Sequence, residues 1–194
     1  MIIQPVHTSR MLLRSLERGD RAEFVRLHEV GAGFFSPWIP ALPPGDTWHD
    51  LFDRELDKSH SDKDVRLGGF LADGQIAGLY NLGEIVRGFF QSAYAGWRTS
   101  SELLGQGYGS EGVSALLDLA FAPSGLGLHR VQANVIPSNV ASIRLAERVG
   151  FRREGLALKY LKIAGVWQDH VMFAKVMEEH ASSHGSWRPD HGGG

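Results

Sequence analysis

The sequence predicts an α/β domain built on a mixed, mostly antiparallel central sheet with flanking helices. Three observations predict it. Residues 65–97 alternate apolar and polar side chains at every second position, broken by the turn dipeptides Asp73-Gly74 and Arg87-Gly88. Residues 109–176 switch between helical and strand periodicity. Between these regions a run of closely spaced glycines (Gly105, Gly107, Gly109 and Gly112) joins a strand to a helix. Hairpins followed by strand–helix–strand–helix–strand fold into a single mixed sheet.

The first strand is expected over 11–16. Asp20 then caps a helix carrying Phe24, Val25 and Leu27 as far as about Val30, with Gly31 as its stop. An aromatic segment broken by prolines follows, Phe34-Phe35-Ser36-Pro37-Trp38-Ile39-Pro40. It reads as a loop lid over a core or as one wall of a substrate pocket. Asp46 or Thr47 caps a second helix that places Leu51, Phe52 and Leu56 on one side. Strands are expected over 65–72, 75–85 and 89–97. A third helix over 109–121 sets Val113, Leu116, Leu117 and Ala120 at core spacing. A strand over 131–136, a helix over 139–149 ended by Gly150, and strands over 151–161 and 170–176 complete the domain, which is assigned residues 1–177. From Glu178 the composition turns polar and ends in Gly192-Gly193-Gly194. Residues 178–194 are therefore expected to be a disordered tail, whose histidines His180, His184 and His191 lack a frame for a metal.

Composition removes several function classes. The 194 residues carry a net charge of −2, which offers no general attraction to nucleic acid or anionic lipid. The absence of cysteine excludes disulfides, thiolate metal sites and cysteine nucleophiles. The N-terminus shows no basic region followed by an apolar run. No stretch reaches the roughly eighteen apolar residues of a membrane helix. A cytoplasmic protein is the expectation.

The glycine loop carries the chemistry. Gly107 and Gly109 let the chain turn tightly and bring the N–H groups of Gln106, Gly107, Tyr108, Gly109 and Ser110 toward one point, in front of a helix N-terminus. Such a loop suits a phosphate or pyrophosphate. It has no Gly-Lys-Ser/Thr ending, so it is not a Walker A loop. The string from Gly107 to Gly112 matches G-x-G-x-x-G formally, but several antiparallel strands precede it, which is the wrong context for a dinucleotide fold.

The second half adds a longer pattern. The run from Asn139 to Phe151 falls where the GNAT superfamily reads N-x-x-A-x-x-L-Y-x-x-x-G-F, with Asn139, Leu145, Gly150 and Phe151 on its fixed letters and Ser142 at its alanine, and Gly107 and Gly109 fall on its motif Q/R-x-x-G-x-G/A. Leu104 replaces the expected Gln or Arg. Pro37-Trp38, the segment from Asn134 to Asn139 after His129-Arg130, Glu154-Gly155, and the segment from Gly165 to His170 resemble the RimJ/RimL branch of ribosomal-protein alanine N-acetyltransferases. The resemblance spans about residues 9–176. It implies a GNAT fold with a splayed cleft, acetyl-CoA as co-substrate and an amine as acceptor.

The resemblance also distributes roles. The strand before the loop supplies main-chain groups of Trp97, Arg98 and Thr99 to the thioester and pantetheine, so their side chains carry little information. The tyrosine that usually protonates the leaving thiolate is replaced by Ala146. Ser142, one turn earlier on the same helix face, takes its place by analogy with the RimL branch. Asn139 is an N-cap by its position and a pantetheine contact by resemblance. The general base stays open: Glu84 on a central strand, one of Asp169 and His170, or Tyr160. An α-amine with a pKa near about 8 needs less help than a lysine at about 10.4. The implied acceptor is a protein N-terminus, such as that of a small-subunit ribosomal protein. The rivals are a small amine (drug, polyamine or toxin), a longer acyl donor, or a CoA-binding module with little turnover.

Overall fold

The structure, a computed structural model, describes residues 3–59 and 61–184. Its frame is an eight-stranded sheet whose elements are β1 (Val6–His7), β2 (Leu12–Ser15), β3 (Val65–Phe70), β4 (Ile76–Val86), β5 (Ser92–Thr99), β6 (Arg130–Val135), β7 (Arg152–Ile163) and β8 (Val166–Val176). The spatial order is β1-β2-β3-β4-β5-β6-β8-β7. Every neighbouring pair is antiparallel except β5 and β6. The helices are α1 (Arg21–Phe35), α2 (Trp48–Lys58), α3 (Tyr108–Phe121), α4 (Val140–Arg148) and α5 (Met177–His184).

Two apolar cores divide the faces of the sheet. Leu116, Leu117 and Val113 of α3 pack with Leu82, Val131 and Phe173, whereas Phe24 and Leu27 of α1 pack with Phe52 of α2 and Ile76. The α3 core tolerates little change in shape. A Cβ on Gly112 would lie 2.0 Å from Tyr80 Cζ, so the helix touches the sheet through a glycine backbone.

Local sequence signals account for much of this. Asp73 and Gly74 turn between β3 and β4, with Gly74 at φ +87° and Asp73 Oδ1 accepting from the Gln75 N–H at 3.0 Å. Thr47 and Asp50 cap α2 reciprocally, each accepting from the other's backbone N–H.

Several expectations need correction. Gly31 does not stop α1, which continues to Phe35. Phe35 folds its ring into the space a Cβ on Gly31 would fill, 2.2 Å from Cε2, so this glycine serves packing rather than termination. The strand expected from Phe89 starts instead at Ser92. Phe89 and Phe90 are exposed, and Gln91 adopts φ +42°, so 89–91 extend the turn. The final strand begins at Val166, four residues before the expected start, because Ala164 and Gly165 form the hairpin turn with positive φ. The short strand β1 had not been expected. The expected tail starts within a helix: α5 runs to His184, and His180 is buried with its Nε2 2.8 Å from Asp118 Oδ1 and its ring 5.0 Å from that of Phe121. His191 and the rest of 185–194 lie outside the described residues.

Candidate active site

The parallel pair β5–β6 shapes the site. These strands pair only from Ser92 to Tyr94 against Arg130 to Gln132, and beyond that point they part. Backbone groups from Ala95 to Thr99 on one side and from Ala133 to Val135 on the other are thereby freed from each other. A cleft of about 510 Å³ occupies the gap. β5 contributes Trp97, Arg98 and Thr99 to its wall; the loop and α3 contribute Gly107, Gly109 and Ser110; α4 contributes Asn139 and Ser142. Eight of the residues expected at the site thus converge.

The glycine loop is held for backbone use. Gly107 is the N-cap of α3 at φ +88°, a left-handed conformation that only glycine adopts readily. A Cβ on Gly109 would lie 2.6 Å from Thr99 Oγ1 and 2.7 Å from Leu145 Cδ1, so the helix start is wedged between β5 and α4. Among the described residues, the N–H groups of Tyr108, Gly109 and Ser110 have no protein acceptor, as the first turn of a helix leaves them. They make a donor cluster at the positive end of the helix. Arg10 stands beside it, paired with Glu111 at 2.6 Å and donating to the Gln106 carbonyl at 2.9 Å. Arg144 and Arg148 of α4 also line the cleft and add positive charge.

Gln106 and Tyr108 do not line the cleft. The carbonyl of Gln106 is engaged by Arg10. Tyr108 lies under the Arg10 guanidinium at 4.1 Å, and its carbonyl accepts from Tyr80 Oη at 2.9 Å. Both brace the loop from outside. Burial raises the Tyr80 hydroxyl well above the usual tyrosine range, so it stays a donor.

Asn139 is the N-cap of α4: its Oδ1 accepts from the Ser142 N–H at 3.1 Å. Ser142 lines the cleft, and its hydroxyl makes no hydrogen bond within the described protein. Ala146, at the usual tyrosine position, is completely buried, so Ser142 is the hydroxyl this helix offers.

Glu84 is not brought to the cleft. It sits exposed at φ +52° in a β-bulge between Gly83 and Val86, and the bulge turns its side chain away from the expected strand face. Of the adjacent pair Asp169 and His170, strand alternation sends only one inward. Asp169 Oδ1 accepts from the Lys159 N–H at 2.8 Å across the β7 bulge, whereas His170 lines the cleft. His170 Nδ1 lies 3.1 Å from the Gln168 carbonyl, which can only accept, so Nδ1 carries a proton and the neutral ring has its lone pair on Nε2. Tyr160 lies at 5.2 Å from the His170 ring and accepts from Asn134 Nδ2 at 2.9 Å.

Phe34, Phe35, Trp38 and Ile39 line the other end of the cleft, so the aromatic segment is a wall of it, with its first two residues in α1. The Arg98 side chain, which sequence reasoning had passed over, runs beneath this wall. Its Nη1 donates to His28 Nε2, and its Cζ lies 5.3 Å from the centroid of Phe35. His28 Nδ1 donates to the Phe24 carbonyl at 2.7 Å. Burial, and then the charge of Arg98, push His28 down to about 4, so it is neutral at ordinary pH. Burial pushes Arg98 down to about 10, which leaves it charged.

A cluster of free N–H groups at one end of a parted parallel strand pair, a serine beside the gap and a separate aromatic wall fit an acyl-CoA-dependent transferase. The family described as acetyltransferase (GNAT) domain matches residues 10–152, and the chain belongs to that family. It is 38% identical over 172 residues to "Probable N-acetyltransferase YjcK" of Bacillus subtilis, covering 84% of this chain and 91% of the relative. It is 27% identical over 172 residues to the ribosomal protein uS5-alanine N-acetyltransferase of Escherichia coli, covering 86% and 88%. Among solved structures, RimJ of Mycobacterium smegmatis in complex with CoA-disulfide superposes with a TM-score of 0.82 at 26% identity, covering 94% of this chain and 95% of that one. Spermidine N-acetyltransferase of Vibrio cholerae in complex with CoA and spermine gives 0.74 at 26% identity, covering 89% and 98%. The similarities support the RimJ/RimL-type branch. The protein is an acetyl-CoA-dependent N-acetyltransferase that delivers the acetyl group to an amine. No helix among the described residues is long and apolar enough to cross a membrane.

Proposed function

We propose that the acceptor is the N-terminal α-amine of a cytoplasmic protein, with a ribosomal protein as the class its relatives suggest. One observation carries the reading: among the described residues lining the cleft there is no Asp or Glu, while Arg98, Arg144 and Arg148 are there. A polyamine or aminoglycoside brings several positive charges and would find repulsion in such a cleft. A peptide terminus brings a single amine, followed by neutral backbone that can lie against Phe34 and Trp38.

Acetyl-CoA supplies the activated acetyl thioester. The N–H groups from Gly107 to Ser110 bind its pyrophosphate, and the main chain from Trp97 to Thr99 orients the acyl arm in the strand gap. Asn139 fixes the first turn of α4, which presents Ser142 to stabilise the leaving thiolate by a hydrogen bond. His170 Nε2 accepts the proton of the acceptor amine in place of the expected Glu84. His170→Gln is expected to lower kcat about 100-fold near neutral pH. The deficit should shrink as pH rises above about 8, where a peptide amine becomes mostly neutral. A deficit that does not vary with pH would make His170 structural.

The acceptor reading is tested by incubating enzyme and acetyl-CoA with N-terminal peptides of small-subunit ribosomal proteins, a lysine-containing peptide with a blocked terminus, spermidine and an aminoglycoside. Mass spectrometry should find acetyl on the free α-amine. Acetylation confined to lysine or to the small amines would overturn the acceptor assignment.

A further inference from the structure

Several arginines in this fold meet carboxylates: Arg14 pairs with Asp20 at 2.7 Å, Arg26 with Glu23 at 2.6 Å, and Arg66 with Asp64 at 2.7 Å. Arg98 does not. Its hydrogen-bond partner is the neutral His28, and its Nε is buried with no partner. The carboxylate whose field it feels, Glu55, is engaged by Lys58 and Arg66 at 3.9 and 3.5 Å. A guanidinium taken out of water without an anion is costly, and an aliphatic side chain would fill the space under Phe35 more favourably. The position is also informative. Arg98 sits on β5 just past the point where β5 and β6 part, and it faces α1 rather than α3, on the side of the cleft walled by Phe35 and Trp38. His28 holds Nη1, and the Phe35 ring supports the guanidinium, so the plane of the fork is fixed while donors remain unused.

We infer that Arg98 is a specificity-determining residue whose guanidinium binds the carbonyl or carboxylate oxygen one carbon beyond the carbon that bears the acceptor amine. This rests on the α-amine reading and gives it a chemical basis. The ligand is an α-aminoacyl unit: an amine for the acetyl group with an oxygen three bonds from its nitrogen for Arg98. The oxygen supplies the acceptor that the buried fork lacks, through a charge-assisted hydrogen bond. A simple alkylamine cannot supply it, and a polyamine presents a second cation to Arg98 instead. A free amino acid offers a carboxylate and a peptide offers a carbonyl. The shared oxygen is what Arg98 recognises, and comparing the two acceptors tells the sources apart.

The experiment measures kcat/KM of the wild type, Arg98→Met and Arg98→Lys with an alanyl peptide, alaninamide, alanine and propan-2-amine, which keeps the amine and lacks the oxygen. Melting temperature and calorimetric acetyl-CoA affinity establish that each variant is folded and binds its donor. Arg98→Met is expected to lose at least about tenfold more with the peptide and alaninamide than with propan-2-amine. Arg98→Lys should restore part of the loss. Retained peptide efficiency in Arg98→Met, or an equal loss for propan-2-amine, would overturn this inference alone. Acetylation of spermidine but of no α-amine by the wild type would overturn the acceptor reading and this inference with it.

Discussion

Gly107→Glu is expected to abolish measurable acetyl-CoA binding. The substitution places a carboxylate at the N-cap of α3, in front of the unpaired N–H groups where a pyrophosphate is to lie. A like charge at about 4 Å with an effective dielectric near 20 costs about 4 kcal/mol, roughly a thousandfold in Kd. Backbone strain adds to this, because Gly107 sits at φ +88° and a side chain there costs about 1–2 kcal/mol. Gly107→Ala separates the two effects. It carries the strain without the charge and should weaken binding far less. Calorimetry on folded variants checks both, and unchanged affinity in Gly107→Glu would remove the loop from the donor site.

Ser142→Ala is expected to lower kcat by about 100-fold while leaving acetyl-CoA affinity within about twofold. The hydroxyl makes no bond to the described protein, so its loss leaves no buried partner stranded and little stability is at stake. Its contribution appears only when negative charge develops on the leaving sulfur. Buried Ala146 offers no substitute. A turnover number equal to the wild type with both substrates saturating would reduce Ser142 to a small residue that lets α4 approach the cleft.

What could be read from the sequence was mostly local. The Asp73-Gly74 turn, Thr47 as one of two candidate caps of α2, the Asn139 cap and the glycine loop each act through neighbours within a few residues, and each was recognisable from spacing alone. Gly31 was misread because the ring that uses its missing Cβ arrives one helical turn later, and nothing in a glycine's identity separates a packing role from a stop. Glu84 was placed on the correct strand, but the bulge and positive φ that turn it outward come from register against β5. Alternation allowed at most one of Asp169 and His170 to face the cleft; the bond from Lys159 across the β7 bulge holds Asp169 away from it. Arg98 was visible only as backbone, because its partner His28 lies on α1, 70 residues away. The start of the expected tail is helical for a similar reason, since His180 meets Asp118 and Phe121 on α3.

On the proposed function, this chain moves an acetyl group from acetyl-CoA to an α-amine through the gap between β5 and β6. The most direct measurement follows free CoA thiol and acetylated peptide together, using wild-type enzyme, acetyl-CoA and an alanyl peptide. The account predicts one thiol released per acetylated α-amine, at a rate that saturates with both substrates and disappears in Gly107→Glu. Thiol release that stays at the uncatalysed level with every amine offered, from protein that still binds acetyl-CoA, would contradict it and leave a CoA-binding module in its place.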